Sequence, residues 1–202
     1  DLCADCSNSL RALCRRLDRL HCWYILDHGG RSHKGCVVCN YVPVKKGDCF
    51  FIEAGTLHAI GAGILICEVQ QNSNSTYRVW DFGRVGADGK PRELHIDKAL
   101  DVTKCEKPTI PYGNVGEKVE KDGNINRNLF RCELFSSGVV EYNEPSVLRS
   151  NESFVSLIFL EGEAEISWNE ERLTAKKGDS IFVPAGMKVD IKGKAEILYA
   201  YV

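Results

Sequence analysis

Hydrophobic and polar residues alternate in two different ways along the chain. Among the first 20 residues, leucines recur every three or four positions with arginines between them, which predicts one amphipathic helix with a solvated basic face. Further on, the period shortens to two, as in residues 163–168, where Ala164, Ile166 and Trp168 share one face. Many short strands separated by glycine-containing turns favour a β-sandwich or β-barrel over a parallel α/β sheet.

Eight short strands are predicted from this alternation. They are residues 49–53, 64–71, 76–82, 128–135, 154–160, 163–168, 180–183 and 195–202. The polar stretch 106–127 contains glycines and prolines but no apolar period, which is typical of a linker. We therefore predict an N-terminal domain at residues 1–105, a linker at 106–127 and a C-terminal domain at 128–202.

An internal repeat connects the two predicted domains. Residues 45–58 align without a gap on residues 176–189, and both copies contain a Gly-Asp turn, a short apolar strand and an Ala-Gly pair. The third residue after that glycine is His58 in the first copy and Val189 in the second. Because a repeat of this kind sets the architecture, we expect two copies of one β-unit.

The repeated segment resembles the second sequence motif of the cupins, which implies a jelly-roll barrel with an inward histidine on a metal. The expected fold is therefore all-β, with two cupin (jelly-roll) barrels after a short helical N-terminal segment. His58 is the predicted metal ligand of the first barrel. Val189 cannot coordinate an ion, so we expect the second barrel to be free of metal.

The composition and net charge of the chain argue against some classes of binding partner. The chain is 44% hydrophobic with a net charge of −2, so it lacks the basic field of a nucleic-acid-binding protein. No apolar run approaches the roughly 18 residues of a membrane span, and no signal-peptide pattern is present. The Cys3–Cys6 and Cys36–Cys39 pairs are compatible with a structural zinc site, but reduced cytoplasmic thiols are the favoured interpretation.

Polar side chains stand out in two of the predicted strands. Glu68 and Gln70 share one face of a strand, and Arg78 lies between Tyr77 and Val79. An arginine in such a strand is costly to bury without an anionic partner. The local pattern favours equally a buried, partnered Arg78 and a solvent-facing one.

Four blocks of sequence carry a further resemblance. Residues 55–60 (GTLHAI), 68–73 (EVQQNS), 76–81 (TYRVWD) and 91–95 (PRELH) occur in this order in the short bacterial, zinc-dependent mannose-6-phosphate isomerases. The resemblance implies a cytoplasmic aldose–ketose isomerase that interconverts mannose 6-phosphate and fructose 6-phosphate. It also implies that His58 binds zinc and that Arg78 acts in the active site.

The implied reaction suits these residue types. Moving a carbonyl between C1 and C2 of a sugar requires removal of a proton and leaves an enediolate. Zinc stabilises such a charge as a Lewis acid, and a planar, always charged guanidinium suits an oxyanion. Strand parity makes Glu68 the candidate base. Arg84 and Arg92 are interpreted as turn or surface charges, and the sequence does not indicate an oligomeric state.

The chain departs from the family pattern at the metal site. The His-Pro-Asp segment of its relatives is absent, and His21 stands before Cys22 where the relatives have glutamate. His21 is the candidate second zinc ligand. Because catalytic zinc sites use about three protein ligands, we expect weak zinc binding and little turnover from this chain. The alternative function is a non-catalytic, sugar-phosphate-binding cupin that has lost its metal site.

Overall fold

A computed structural model describes residues 23–27, 39–81, 83–104, 112–113 and 115–202. The chain forms two compact units. The first unit consists of Asp1–Cys67 and Asn72–Asn114, and the second consists of Glu68–Gln71 and Val115–Val202. The described part is mostly β-structure with one short helix, as predicted for an all-β fold. The predicted N-terminal helix lies outside the described residues.

The first unit contains a small parallel sheet and the helix. Its strands are β1 (Trp23–Asp27), β2 (Cys39–Pro43) and β3 (His58–Ile60), in the order β2-β1-β3. The helix α1 (Ile96–Val102) follows, with Ala99 buried. Cys49 and Gly113 form an isolated antiparallel bridge.

Three strands predicted between residues 49 and 82 are wrong. Residues 64–71 and 76–82 contain no strand among their described positions, and residues 49–53 contribute only the Cys49 bridge. Leu65 is 94% exposed and Ile66 is 44% exposed, so much of the apolar run at 64–67 faces solvent. An apolar run forms a strand only when a neighbouring strand and a buried face are available.

The second unit is an antiparallel sheet of eight strands. The strands are β4 (Lys118–Lys121), β5 (Asn124–Arg131), β6 (Ser136–Tyr142), β7 (Ser146–Arg149), β8 (Val155–Trp168), β9 (Glu171–Lys176), β10 (Ser180–Val183) and β11 (Lys188–Tyr201). The central order is β10-β8-β11-β6-β5-β4, while β7 pairs with β11 and β9 pairs with β8. Strand β4 and the start of β5 lie within the stretch 106–127 that the sequence predicts as a linker.

The core of the second unit is formed by alternate residues of the two longest strands, β8 and β11. Its most deeply buried side chains are Leu157, Phe159, Ile166, Val189, Ile191 and Ile197. Burying each such side chain stabilises the fold by about 1.5–3 kcal/mol. The predicted strands 154–160 and 163–168 are joined into the single strand β8, and the predicted strand 195–202 begins earlier, at Lys188.

A β-bulge explains how β8 keeps its apolar side chains inside over its whole length. The inward side chains are at odd positions up to Phe159 and at even positions from Ala164. The pairing with β11 shifts register between Glu196 and Ile197, which absorbs the change. Gly162 is required here, because its φ is +75° and a Cβ would collide with the backbone oxygen of Lys194.

Among the residues that the structure describes, no helix has the length and apolar character needed to cross a membrane. Two of their cysteines, Cys67 and Cys132, are free thiols.

Candidate functional site

Arg78 is held in the first unit by the segment that leads into α1. The backbone N–H of Arg78 donates to Nδ1 of His95 (3.2 Å), and the backbone N–H of His95 donates to the carbonyl of Arg78 (2.7 Å). The guanidinium Nη1 donates to the carbonyl of Glu93 (3.2 Å). These bonds bring the sequence blocks 76–81 and 91–95 together and leave the Arg78 side chain 23% exposed.

Asp81 gathers three arginines around one carboxylate. Its side chain is 8% exposed and accepts hydrogen bonds from Nη2 of Arg84 (2.7 Å) and from Nε (2.5 Å) and Nη2 of Arg92. The Nε of Arg78 lies 3.8 Å from the same carboxylate. A turn places Arg84, since its backbone N–H donates to the carbonyl of Asp81 (2.9 Å).

These contacts determine the charge of the Asp81 group. The hydrogen bond from Arg92 and the charges of Arg84 and Arg92 hold the pKa of the Asp81 carboxyl below its usual range, against the opposing effect of burial. Asp81 in turn raises the pKa of Arg92. The carboxylate is therefore ionised at neutral pH, and three guanidinium groups face one negative charge.

Arg84 and Arg92 are accessible charges, as predicted, and Arg84 lies in a turn, but the sequence did not reveal their common partner. Both remain accessible, with side chains 63% and 39% exposed, but both are tied to the nearly buried Asp81. The excess of positive charge suits an anion, because guanidinium groups form paired hydrogen bonds with phosphate and carboxylate oxygens. Asp81 itself was missed, although arginine and aspartate alternate every three residues from Arg78 to Arg84.

His58 begins strand β3, directly after a tight turn. Gly55 has a φ of +91°, and a Cβ at that position would press on the carbonyl of Val102. The turn leaves His58 exposed, with its Nδ1 2.9 Å from the carbonyl of Thr56. A backbone carbonyl at Nδ1 fixes the imidazole in the orientation and tautomer of a ligand that binds metal through Nε2.

The remaining predicted ligand cannot be placed with His58. His21 lies outside the described residues. Within the described part of the chain, no three histidine, cysteine, aspartate or glutamate side chains form a group that suits a metal ion. His58 thus suits one ligand position of a zinc site, whereas the described residues as a set do not form a complete site.

Glu68, the candidate base, belongs to the other compact unit. Residues 68–71 group with the second unit, whereas His58 and Arg78 belong to the first. Glu68 is exposed and lines a pocket of about 320 Å³ together with Gln70, Phe154 and Tyr201. Its role as a base stays a prediction.

In the second unit, the residue that aligns with His58 is apolar. Val189 is 1% exposed and lies in the core of the unit, opposite Leu148 in the pairing of β11 with β7. A buried valine supplies packing where the first copy of the repeat supplies an imidazole.

The mostly antiparallel β-fold of the described residues and its repeat with a single histidine define a cupin-type protein. Residues 126–202 match the family model described as "Mannose-6-phosphate isomerase, cupin domain". The chain is 31% identical over 207 residues to mannose-6-phosphate isomerase ManA of Bacillus subtilis, a match covering 92% of this chain and 65% of ManA. It is 32% identical over 166 residues to the mannose-6-phosphate isomerase of Streptococcus mutans, covering 79% of this chain and 50% of that enzyme.

The structure of the chain is also similar to a crystal structure of a mannose 6-phosphate isomerase. The crystal structure of the mannose 6-phosphate isomerase from Bacillus subtilis superposes with a TM-score of 0.58 at 28% identity, covering 65% of this chain and 42% of that one. The chain therefore resembles the mannose-6-phosphate isomerases over most of its length, as its sequence blocks predicted, and its residues 126–202 match the cupin domain of that family. It spans 65% of the length of ManA.

Proposed function

We propose that the chain belongs to an aldose–ketose isomerase that interconverts mannose 6-phosphate and fructose 6-phosphate in the cytoplasm. The observation that carries the proposal is the convergence of Arg78, Arg84 and Arg92 on Asp81, which concentrates positive charge on an accessible surface. A sugar phosphate carries its charge on one terminal group. Arg84 and Arg92, the more exposed pair, hold this phosphate in the proposal.

Arg78 acts on the reacting end of the sugar in this proposal. Proton transfer between C1 and C2 places negative charge on the neighbouring oxygens, and a fixed guanidinium lowers the energy of that charge. Arg78 suits this role because its backbone is bonded to His95 and its Nη1 to the carbonyl of Glu93, so little reorganisation is needed. Glu68 stays the candidate base.

His58 is the residue through which the chain would hold zinc. When bound, zinc supplies a Lewis acid for the sugar oxygens. The described residues offer one ligand, and His21 is the proposed second. A site with so few protein ligands binds its ion weakly, so the proposal includes low zinc content and low turnover for this chain.

The two units correspond, in the proposal, to two cupin barrels of one ancestral repeat. The support is the alignment of residues 45–58 with residues 176–189 and the match of residues 126–202 to a cupin domain model. The first unit holds His58 and Arg78, and the second, with Val189 at the position that matches His58, serves as the metal-free barrel.

The test combines elemental analysis for zinc with a coupled assay for mannose 6-phosphate turnover on the chain and on Arg78→Ala. We expect substoichiometric zinc, slow turnover that rises when zinc is added, and loss of that turnover by orders of magnitude in Arg78→Ala. Turnover that is independent of Arg78 would remove this residue from the mechanism. Saturable binding of mannose 6-phosphate without turnover at any zinc concentration would instead support the non-catalytic cupin.

A further inference from the structure

A second pocket lies wholly within the second unit. It has a volume of about 330 Å³, which is at the small end of the range of about 300–1,000 Å³ for ligand sites. Four of its lining residues are aliphatic, namely Val140, Leu148, Val155 and Leu157. The others are polar or aromatic, namely Asn126, Tyr142, Arg149, Ser150, Tyr199 and Tyr201.

Tyr199, which lines this pocket, lies over a glycine of the neighbouring strand. On β6, the residue paired with Tyr199 is Gly138, and a Cβ there would collide with the tyrosine hydroxyl. The Tyr199 hydroxyl therefore extends over β6 to Oδ1 of Asn126 (3.0 Å) and Oδ1 of Asn128 (2.8 Å) on β5. A phenol has one hydrogen, so it satisfies one amide oxygen at a time and leaves the other able to accept.

Tyr142 provides the second, independent observation. It is 8% exposed and lines the pocket, yet its hydroxyl makes no hydrogen bond to any residue that the structure describes. Burial, together with the phenol of Tyr199, raises the pKa of Tyr142 to about 12. The hydroxyl is thus a neutral donor at physiological pH, and a buried donor without a protein partner is rare in folded proteins.

Two stacked aromatic rings also line the pocket. Tyr199 and Tyr201 are stacked, with ring centroids 6.3 Å apart and an angle of 21° between the ring planes. Aromatic faces bind apolar C–H surfaces, while hydroxyl and amide groups bind hydroxyls. A pyranose ring offers both kinds of surface at a size that suits the pocket.

We propose that this pocket is a second carbohydrate site, which binds a hexose ring without metal through Asn126, Tyr142 and the Tyr199–Tyr201 pair. The site is additional to the function proposed for the first unit. The ring can come from a free hexose or from a hexose phosphate. Arg149 lines the pocket, and its Nε donates to Oδ1 of Asn151 (2.8 Å). Among the residues that the structure describes, its other N–H groups have no hydrogen-bond partner, so they can bind a phosphate.

The test is isothermal titration of the chain with D-mannose and with mannose 6-phosphate, compared with Tyr142→Phe. We expect saturable binding that Tyr142→Phe weakens roughly three- to tenfold, which is the effect of one hydrogen bond. The melting temperature of Tyr142→Phe should stay the same or rise, because the lost hydroxyl has no described protein partner. A purely structural role for the hydroxyl would lower it.

Two control variants separate this site from the rest of the molecule. Tyr112→Phe makes the same chemical change at a tyrosine of the first unit and should leave the affinity for mannose unaltered. Lys45→Ala, which removes a charge from an exposed side chain of the first unit, should likewise leave it unaltered. Because D-mannose lacks the phosphate assigned to Arg84 and Arg92, a failure of the isomerase proposal does not affect this result. If only mannose 6-phosphate binds, Arg149→Ala and Tyr142→Phe should both weaken it. Absence of saturable binding by either sugar, or equal binding by Tyr142→Phe, would overturn the proposal.

Discussion

Arg78 and His95 hold each other in place through two hydrogen bonds, one from each backbone N–H. His95 accepts through Nδ1, so its ring hydrogen is on Nε2, which lies 3.8 Å from the Glu93 carboxylate. His95 is a positioning residue in the proposed function, since it fixes the backbone from which the Arg78 guanidinium extends.

Replacing His95 tests this relationship. His95→Phe keeps a ring near Tyr77 but removes the acceptor for the Arg78 N–H, at a cost of about 1–3 kcal/mol for a partly buried donor. Urea unfolding should show this loss, and hydrogen exchange at the Arg78 amide should accelerate. His95→Gln retains a side-chain acceptor and should lose less. Equal exchange rates in the chain and in His95→Phe would contradict the interpretation.

Asp81 makes the first unit less stable at acidic pH. Its pKa is lower in the folded chain than the ordinary value of about 3.9, so its stabilising contribution is complete above that value. The contribution is lost as the pH falls through the lower, folded-state pKa. The melting temperature should therefore fall more steeply between pH 7 and pH 2 for the chain than for Asp81→Asn. At pH 7 the melting temperature of Asp81→Asn should already be lower, because three arginines lose their counter-charge. Parallel pH profiles would show that the ion pairs contribute nothing.

Exchanging the residues of the two repeat copies should destabilise the chain at Val189 and have little effect on stability at His58. Val189→His puts a polar ring in an apolar core and should destabilise the chain by at least about 1–3 kcal/mol. His58→Val changes an exposed position and should alter the free energy of unfolding by about 0.5 kcal/mol or less. Zinc uptake should fall in His58→Val and should not rise in Val189→His. Equal destabilisation by the two changes would contradict the assigned burial.

The sequence predicted the second unit better than the first, for a physical reason. Residues 180–183 form β10 as predicted, and residues 163–168 lie in β8, because period-two alternation there corresponds to one buried and one outer face. The described residues 76–81 also mix apolar and polar side chains, but they pair with no strand. Arg78 in this segment contacts Asp81, His95 and Glu93 instead.

The candidate site was predictable only in part. His58 and Arg78 follow from motif spacing, but Asp81 with Arg92 does not, because the pairing depends on how residues 83–92 fold back. The bridge between Val85 and Pro91 and the turn at Gly86–Gly89 bring Arg92 to the carboxylate. A charged residue in a loop has no periodicity, so its partner becomes evident only in the folded chain.

The most direct test follows the arginine side chains by nuclear magnetic resonance during titration with mannose 6-phosphate. The Nε–Hε resonances of Arg84 and Arg92 report on the first unit alone and are separate from sugar binding elsewhere. The account predicts saturable shifts of both resonances, at least about tenfold weaker binding in Arg84→Ala, and weakening by added salt. Lys45→Ala, which removes a charge from another exposed side chain of the first unit, should change the affinity by less than about twofold. Unshifted arginine resonances at saturating mannose 6-phosphate, or equal losses in Arg84→Ala and Lys45→Ala, would contradict the account.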